Sequence, residues 1–416
     1  MTRGRELIMP RMIVLLFAAL AASQAAAEGA ADFVQDGKAS LDLRYRFESV
    51  EQDDRPETAE AHTLRIRLDL ASGEVGGVSG LLQADHVEAL GDPRYDDTRN
   101  GQLQYPVVAD PQGTDLNQAW LQYRGPRDTV LRLGRQKISI GNERFVGPVG
   151  WRQNEQSFDA VRLDTRAVPG ASISYAFVDR VRRVFGPDEG TPPAELTSDS
   201  HLLDARVTSL PAGTLALYGY HLDFRNAPQL SADTVGARYE GERGFAGDLK
   251  LGWAIEYASQ QDAGANVSDI DAHYALAELK LQLPAVGITL GREVLSGESG
   301  SFDANANPAF QTPLATLHPF QGWADKFTTT PPAGIEDSYL GASVKLAGWK
   351  GQAVWHEFDA EATAARYGSE LDLVVSRRFG ERYEVLAKYA DYRADELFAD
   401  TRKFWLQLNA AFPAGR

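Results

Sequence analysis

Along much of the chain, apolar and charged residues alternate one for one. In residues 63–71 (TLRIRLDLA), Leu64, Ile66, Leu68 and Leu70 are interleaved with Arg65, Arg67 and Asp69. A period of two predicts a β-strand with one apolar and one charged face. The pattern returns near the start of the chain, where Leu41, Leu43, Tyr45 and Phe47 alternate with Asp42, Arg44 and Arg46. It returns again in LKLGWAIEY (249–257), AELKLQL (277–283), ELDLVVSRR and YEVLAKY. No long segment carries the 3.6-residue period of an amphipathic helix, so the chain reads as all-β.

The connections alternate in length. Short ones such as AVPGA (167–171), LPAVG (283–287), AGWKG (347–351) and FGER (379–382) combine Gly with Pro or charge, which is tight-turn chemistry. Between them lie long polar stretches near 50–60, 89–114, 140–156, 181–200, 225–232, 260–271, 295–336, 359–368 and 393–402. A strict short–long beat is expected of a meander with one edge in a confined space and the other outside. The tally predicts about 18 antiparallel strands, an even number as bacterial outer-membrane barrels have. Both termini then lie on the short-turn side.

The alternative is a secreted soluble sandwich, which also alternates apolar and polar positions. Three features favour a transmembrane barrel. The loop beat is regular. Aromatics cap the apolar faces at Tyr45, Tyr123, Tyr175, Tyr257, Tyr383, Tyr389 and Phe404, as interface girdles do. The final segment places Phe404, Leu406, Leu408, Ala410 and Phe412 at every second position, similar to the C-terminal assembly signal of bacterial barrels. It departs from that signal in carrying Pro-Ala-Gly-Arg after Phe412. Leu64, Ile66, Leu68 and Leu70 are thus expected to face lipid, and Arg65, Arg67 and Asp69 a wet lumen.

Composition narrows the picture. Mean hydropathy is −0.32, too polar for a bundle of membrane helices. The one apolar run, MIVLLFAALAA (12–22), is too short to span a bilayer. It follows Arg3, Arg5 and Arg11 and ends in Ala25-Ala26-Ala27, so residues 1–27 read as a cleaved signal peptide and 28–416 as one barrel domain. Removing that segment takes three arginines and one glutamate from a formal charge of −16 and leaves −18. Such an acidic chain is a poor partner for nucleic acid. With no cysteine, disulfides and thiolate chemistry are excluded.

Two stretches exceed general barrel grammar: LGRQKISIGNERFVGPVGWRQNEQSFDAVRL (133–163) and FQTPLATLHPFQGWADKFTTTPPAGIEDSYLG (310–341). Both resemble segments of the alginate-export family of outer-membrane proteins, and the resemblance extends from about Leu41 to Phe412. It implies a large monomeric barrel of the Gram-negative outer membrane that passes an anionic uronate polymer or another solute. Its expected partners are that solute, membrane lipid and the barrel-assembly machinery; it implies no cofactor.

Strand parity points Arg44, Arg46, Arg65, Arg67, Arg132 and Arg162 inward. Arg135 falls on the other face unless Gly134 marks a bulge, and Arg144 and Arg152 lie in the loop that follows. Together these nine form a candidate pore-lining, anion-binding set, since guanidinium pairs bidentately with carboxylate or phosphate. The competing reading pairs them with Asp42, Glu48, Asp69, Asp85 and Asp164 on neighbouring strands. Later strands add inward Lys250, Lys280, Lys345 and Lys388 but also Asp204, Glu256, Glu278, Asp372 and Glu384, a mixed lumen.

The longest loop, near 296–335, is rich in aromatics, among them Phe302. Phe310, His318, Phe320, Trp323, Asp325 and Phe327 are the candidate constriction residues, folded into the barrel mouth rather than left exposed. No zinc-like histidine spacing, nucleophile elbow or phosphate-binding loop is present. The acidic run Asp92, Asp96 and Asp97 has the ligand chemistry of a divalent-cation site but reads rather as a solvated loop. Ser200 and His201 sit near a loop but lack a third catalytic member.

Overall fold

The computed structural model describes residues 33–34, 36–300 and 306–413. The segment read as a signal peptide, Phe302 and the last three residues lie outside them. Eighteen strands follow in chain order: Lys38–Gln52 (β1), Ala59–Ala71 (β2), Val78–Ala89 (β3), Gly113–Gly125 (β4), Thr129–Gln136 (β5), Ser157–Thr165 (β6), Ala171–Arg182 (β7), Glu195–Val207 (β8), Thr214–Leu222 (β9), Ala232–Gly244 (β10), Lys250–Asp262 (β11), Asp271–Gln282 (β12), Val286–Leu295 (β13), Ile335–Leu346 (β14), Trp349–Asp359 (β15), Arg366–Phe379 (β16), Tyr383–Ala394 (β17) and Thr401–Phe412 (β18). Each pairs antiparallel with the next, and β1 also pairs with β18, Leu41 opposite Phe412. The sheet is therefore closed and has no free edge, as hydrocarbon demands of a spanning sheet.

The alternation works as the sequence predicts. On β2, Ile66, Leu68 and Leu70 are exposed on the outside, while Thr63, Arg65 and Arg67 are buried within. Tyr123, Tyr175, Tyr257, Tyr383 and Phe404 are likewise exposed on the outer wall. β1 begins and β18 ends at the short-turn edge, which is the periplasmic edge of an outer-membrane barrel.

The outward position of Leu340, between Leu290 and Trp355 on the flanking strands, yields a test. Leu340→Arg is expected to destabilise the barrel by about 2–4 kcal/mol in lipid vesicles, as for a cation near the bilayer midplane. Gln352→Arg, on the inward face, is expected to change stability by only about 0.5 kcal/mol. Urea unfolding followed by tryptophan fluorescence reads both.

Candidate functional site

The outer half of the lumen is filled by three loops between strands, residues 90–112, 137–156 and 296–334. The second and third join through backbone: Gly147 N donates to Leu314 O at 2.9 Å and Thr316 N to Glu143 O at 3.0 Å. The first is tied in by Gln153 N, which donates to Asp110 Oδ1 at 2.8 Å. The 296–334 loop then docks on inward side chains of the wall. Trp323 N donates to Asp372 Oδ2 (3.1 Å) and Ala324 N to Glu370 Oε1 (2.7 Å), both on β16. Phe327 packs against Phe358, Tyr367 and Tyr392, and Phe310 against Tyr274 and Phe145. All six aromatic-loop candidates, Phe310, His318, Phe320, Trp323, Asp325 and Phe327, thus come together inside the barrel.

His318 is the centre of this contact. Its ring lies flat on Trp151, centroids 4.5 Å apart and planes 6° from parallel. Nδ1 is 2.8 Å from Asp325 Oδ1, and Nε2 is 2.5 Å from Lys388 Nζ. An ammonium donates to Nε2, so Nδ1 carries the proton and the ring is neutral. Burial, reinforced by Lys388 and Arg152 and opposed by Asp325, pushes its pKa down to about 3. Lys388 Nζ is further enclosed by indoles, 3.7 Å from the Trp323 ring centre and 4.4 Å from that of Trp151.

The arginines sort into two groups. Arg65 reaches Asp42 at 2.7 Å and Arg67 reaches Asp85 at 2.6 Å, and both approach Glu155. Burial alone would raise the Glu155 carboxyl; Arg67, Lys137 and Arg65 outweigh it and hold it well below the usual carboxylate range. Arg46 meets Asp110 (3.4 Å), and Arg152 meets Glu48 (3.2 Å) and Asp325 (3.0 Å). Arg144 pairs with Glu293 (2.7 Å) and Arg162 with Asp164 (2.9 Å). Among the described residues, Arg44 and Arg132 have no carboxylate within 4.0 Å. Arg44 donates to the carbonyls of Gly150, Trp151 and Arg152, and Arg132 to Gln122 Oε1 while lying 4.2 Å over the Trp120 ring. Of the carboxylates expected from neighbouring strands, Asp42 and Asp85 take Arg65 and Arg67; Asp164 lies on the same strand as Arg162, Glu48 meets the loop residue Arg152, and Asp110 and Glu155 are brought by loops.

Arg135 corrects the expectation. Gly134 has φ +113° and a Cβ there would lie 2.3 Å from Ala119 O, so glycine is required. Even so, the side-chain order is not shifted: Gln136 is buried inside, and Arg135 shares the outer face with Leu131 and Leu133, bound to Asp159 at 2.8 Å. The register shifts lie elsewhere, opposite Gln83–Ala84, at Asp179 and at Tyr367 among them. Ser200 and His201 are likewise separated by parity. Ser200 is buried inside against Ser198, while His201 is outside on Tyr175, so they form no dyad.

The remaining wall is mixed, with buried Arg238, Lys388 and Lys403 set among carboxylates. Glu256, Glu293, Asp337, Glu370 and Asp372 are buried on inward faces of β11, β13, β14 and β16, opposite in sign to β1, β2 and β5. Parity had marked Lys388 and Asp372 as inward. Glu155, Asp110 and Trp151, which lie in loops and complete the network, carried no local signal; Glu293 lies on β13, on the face opposite Ile288 and Leu290.

The model of the alginate-export family matches residues 38–412. The chain belongs to the alginate-export family. Its members are β-barrels of the Gram-negative outer membrane, and this barrel is one of them. Solved structures of similar shape include Pseudomonas aeruginosa OccK9 (OpdG), 17% identical with TM-score 0.72, covering 92% of this chain and 99% of that one. Acinetobacter baumannii OccAB4 is 15% identical, TM-score 0.70, with 91% and 98% covered. Pseudomonas aeruginosa OpdK with vanillate is 16% identical, TM-score 0.69, with 92% and 100% covered. A search of curated proteins returns no match. In this family member the periplasmic half of the bore stays wet: inward Lys250, Lys280 and Arg378 are all more than half exposed.

Proposed function

We propose that this family member is a passive channel for a small solute bearing a carboxylate. The observation that carries the reading is Arg132. It stands on the lumen wall beside Arg162, its guanidinium engaged by a neutral amide and an indole face and by no carboxylate. An incoming carboxylate would be accepted bidentately there without displacing an internal ion pair. The neighbouring indole offers a flat apolar surface to a ring-bearing solute. OpdK, similar in fold, has been solved with vanillate, an aromatic carboxylate of that description. The docked loops favour a small solute over a polymer, because a polymer chain would require them to withdraw. No step of such passage consumes energy or needs a cofactor, and none makes or breaks a covalent bond in the solute.

Planar-bilayer recordings under a salt gradient test this. The wild type is expected to prefer anions, and Arg132→Ala combined with Arg44→Ala to shift the reversal potential toward the cation side. Vanillate or glucuronate is expected to block chloride current in the wild type and to lose that effect in the double variant. Cation preference in the wild type, unchanged by the double variant, would remove the anionic reading and leave the barrel standing.

A further inference from the structure

Five of the seven histidines, His62, His86, His201, His221 and His273, stand on the outer wall. Each occupies the same place in an outward row. On the periplasmic side its neighbour two residues away is Leu64, Ala84, Leu203, Gly219 or Ala275; on the outer side it is Glu60, Glu88, Asp199, Asp223 or Asp271. The histidines therefore mark the line where the apolar band ends and the outer leaflet's polar layer begins.

Two of them, His62 and His201, repeat one cross-strand geometry, and His273 shares their place and a tyrosine neighbour, each on a hairpin closed by an outer loop. On β1–β2, Phe47 is opposite His62, and Tyr45, two residues nearer the periplasm, places its hydroxyl 2.8 Å from Nδ1. On β7–β8, Phe177 is opposite His201 and the Tyr175 hydroxyl is 2.7 Å from Nδ1. On β11–β12, Ser259 is opposite His273 and the Tyr257 ring stacks on the imidazole at 6.0 Å. With the tyrosine donating to Nδ1 at His62 and His201, the proton there sits on Nε2, which is left as an outward donor.

Arginines near the same margin are already occupied by carboxylates: Arg135 by Asp159, Arg182 by Glu195, Arg292 by Glu336 and Arg402 by Glu51. Glu60 is held by Arg94, and His221 by Asp233 at 2.6 Å. The margin thus presents a row of imidazole donors with a row of carboxylate acceptors just outside it. We propose that the three tyrosine–histidine pairs are a docking surface for a phosphorylated glycolipid of the outer leaflet. Phosphate oxygens take the Nε2–H groups, and sugar hydroxyls further out donate to the carboxylates. Phosphate is the strongest acceptor in that layer, and the tyrosine and phenylalanine rings cover the adjoining sugar–acyl junction.

The test uses the full chain in nanodiscs containing a bisphosphorylated lipid A or its dephosphorylated form, with bound lipid counted by native mass spectrometry. Wild type is expected to retain the phosphorylated lipid about tenfold better or more, the worth of one charge-assisted hydrogen bond. His62→Phe with His201→Phe and His273→Phe is expected to abolish that preference while the heat-dependent gel shift of the folded barrel persists. Tyr45→Phe with Tyr175→Phe, which keeps every imidazole, is expected to reduce it partially. Equal retention of the two lipids by wild type would overturn the proposal. So would complete displacement of the glycolipid by excess inorganic phosphate, since the surface would then be a site for the free anion.

Discussion

Arg152→Ala is expected to free the inner loops from the barrel wall and to raise single-channel conductance several-fold. This guanidinium joins three separate parts of the chain: Glu48 on β1, Asp110 in the 90–112 loop and Asp325 in the 296–334 loop. Glu48 and Asp110 are fully buried. Deleting one partner of a buried ion pair leaves the others uncompensated, at a cost of about 3–5 kcal/mol. Arg46 and Lys403 each retain a hold on one of the carboxylates, so the loss falls on the junction between loops. The barrel is closed by eighteen ladders of backbone hydrogen bonds that this change does not touch. The free energy is therefore released as undocking rather than as unfolding. Recordings in planar bilayers should show larger unitary steps, and hydrogen exchange in residues 306–330 should accelerate. Unchanged steps and unchanged exchange would mean that aromatic packing alone holds the loops.

How far the sequence foretold this arrangement depends on which solvent each residue meets. Strand alternation was legible because lipid and water impose opposite demands on successive side chains. Leu64 to Leu70 and their interleaved arginines could be assigned to faces with no knowledge of neighbours. The same parity placed Lys388 and Asp372 inside. It also showed Arg135 on the outer face, and the proposed rescue by a bulge at Gly134 failed because the irregularities sit elsewhere, at Asn117, Asp179 and Tyr367 among them. Loop docking was legible only in part. The density of aromatics between Phe310 and Phe327 signalled burial, since so many rings are costly to leave in water. Their partners were not legible. Trp151 meets His318, and Glu155 meets Arg65 and Arg67, across separations that no local pattern encodes.

The distribution of charge follows from the same geometry. Arginines on β1 and β2 cannot face lipid, and an inward arginine needs a partner once loops exclude water from it. Asp42 and Asp85 come from adjacent strands, whereas Asp110 and Glu155 are brought by loops. The loops thus act as counter-ions to the wall. Where they do not reach, at Arg132, the guanidinium has no carboxylate partner among the described residues and is met by Gln122 and Trp120.

Acid is expected to undock the same loops through His318. In the docked state this imidazole gives Nδ1–H to Asp325 and receives a hydrogen bond from Lys388, so a second proton has no place. Its pKa of about 3 lies well below the ordinary histidine value of about 6.5. When the loop withdraws, the ring meets water and regains the ordinary value. The undocked state therefore binds more protons than the docked one between pH 6.5 and 3, and docking weakens as pH falls through that window. Each pH unit contributes about 1.4 kcal/mol, which amounts to roughly 2–3 kcal/mol between pH 6.5 and 4.5. Asp325 acts in the same direction but lower in pH: burial would raise it, but His318, Lys403 and Arg152 hold it well below the usual carboxylate range. Its contribution is intact above about pH 4 and is lost only below that, so between pH 6.5 and 4.5 the response belongs to His318. Conductance should accordingly rise on acidification from pH 7 to 4.5. His318→Gln supplies one donor for Asp325 and one acceptor for Lys388 but cannot take a proton. It is expected to keep the loops docked at pH 7 and to flatten the pH response. A variant that opens with acid as the wild type does would assign the proton to another group.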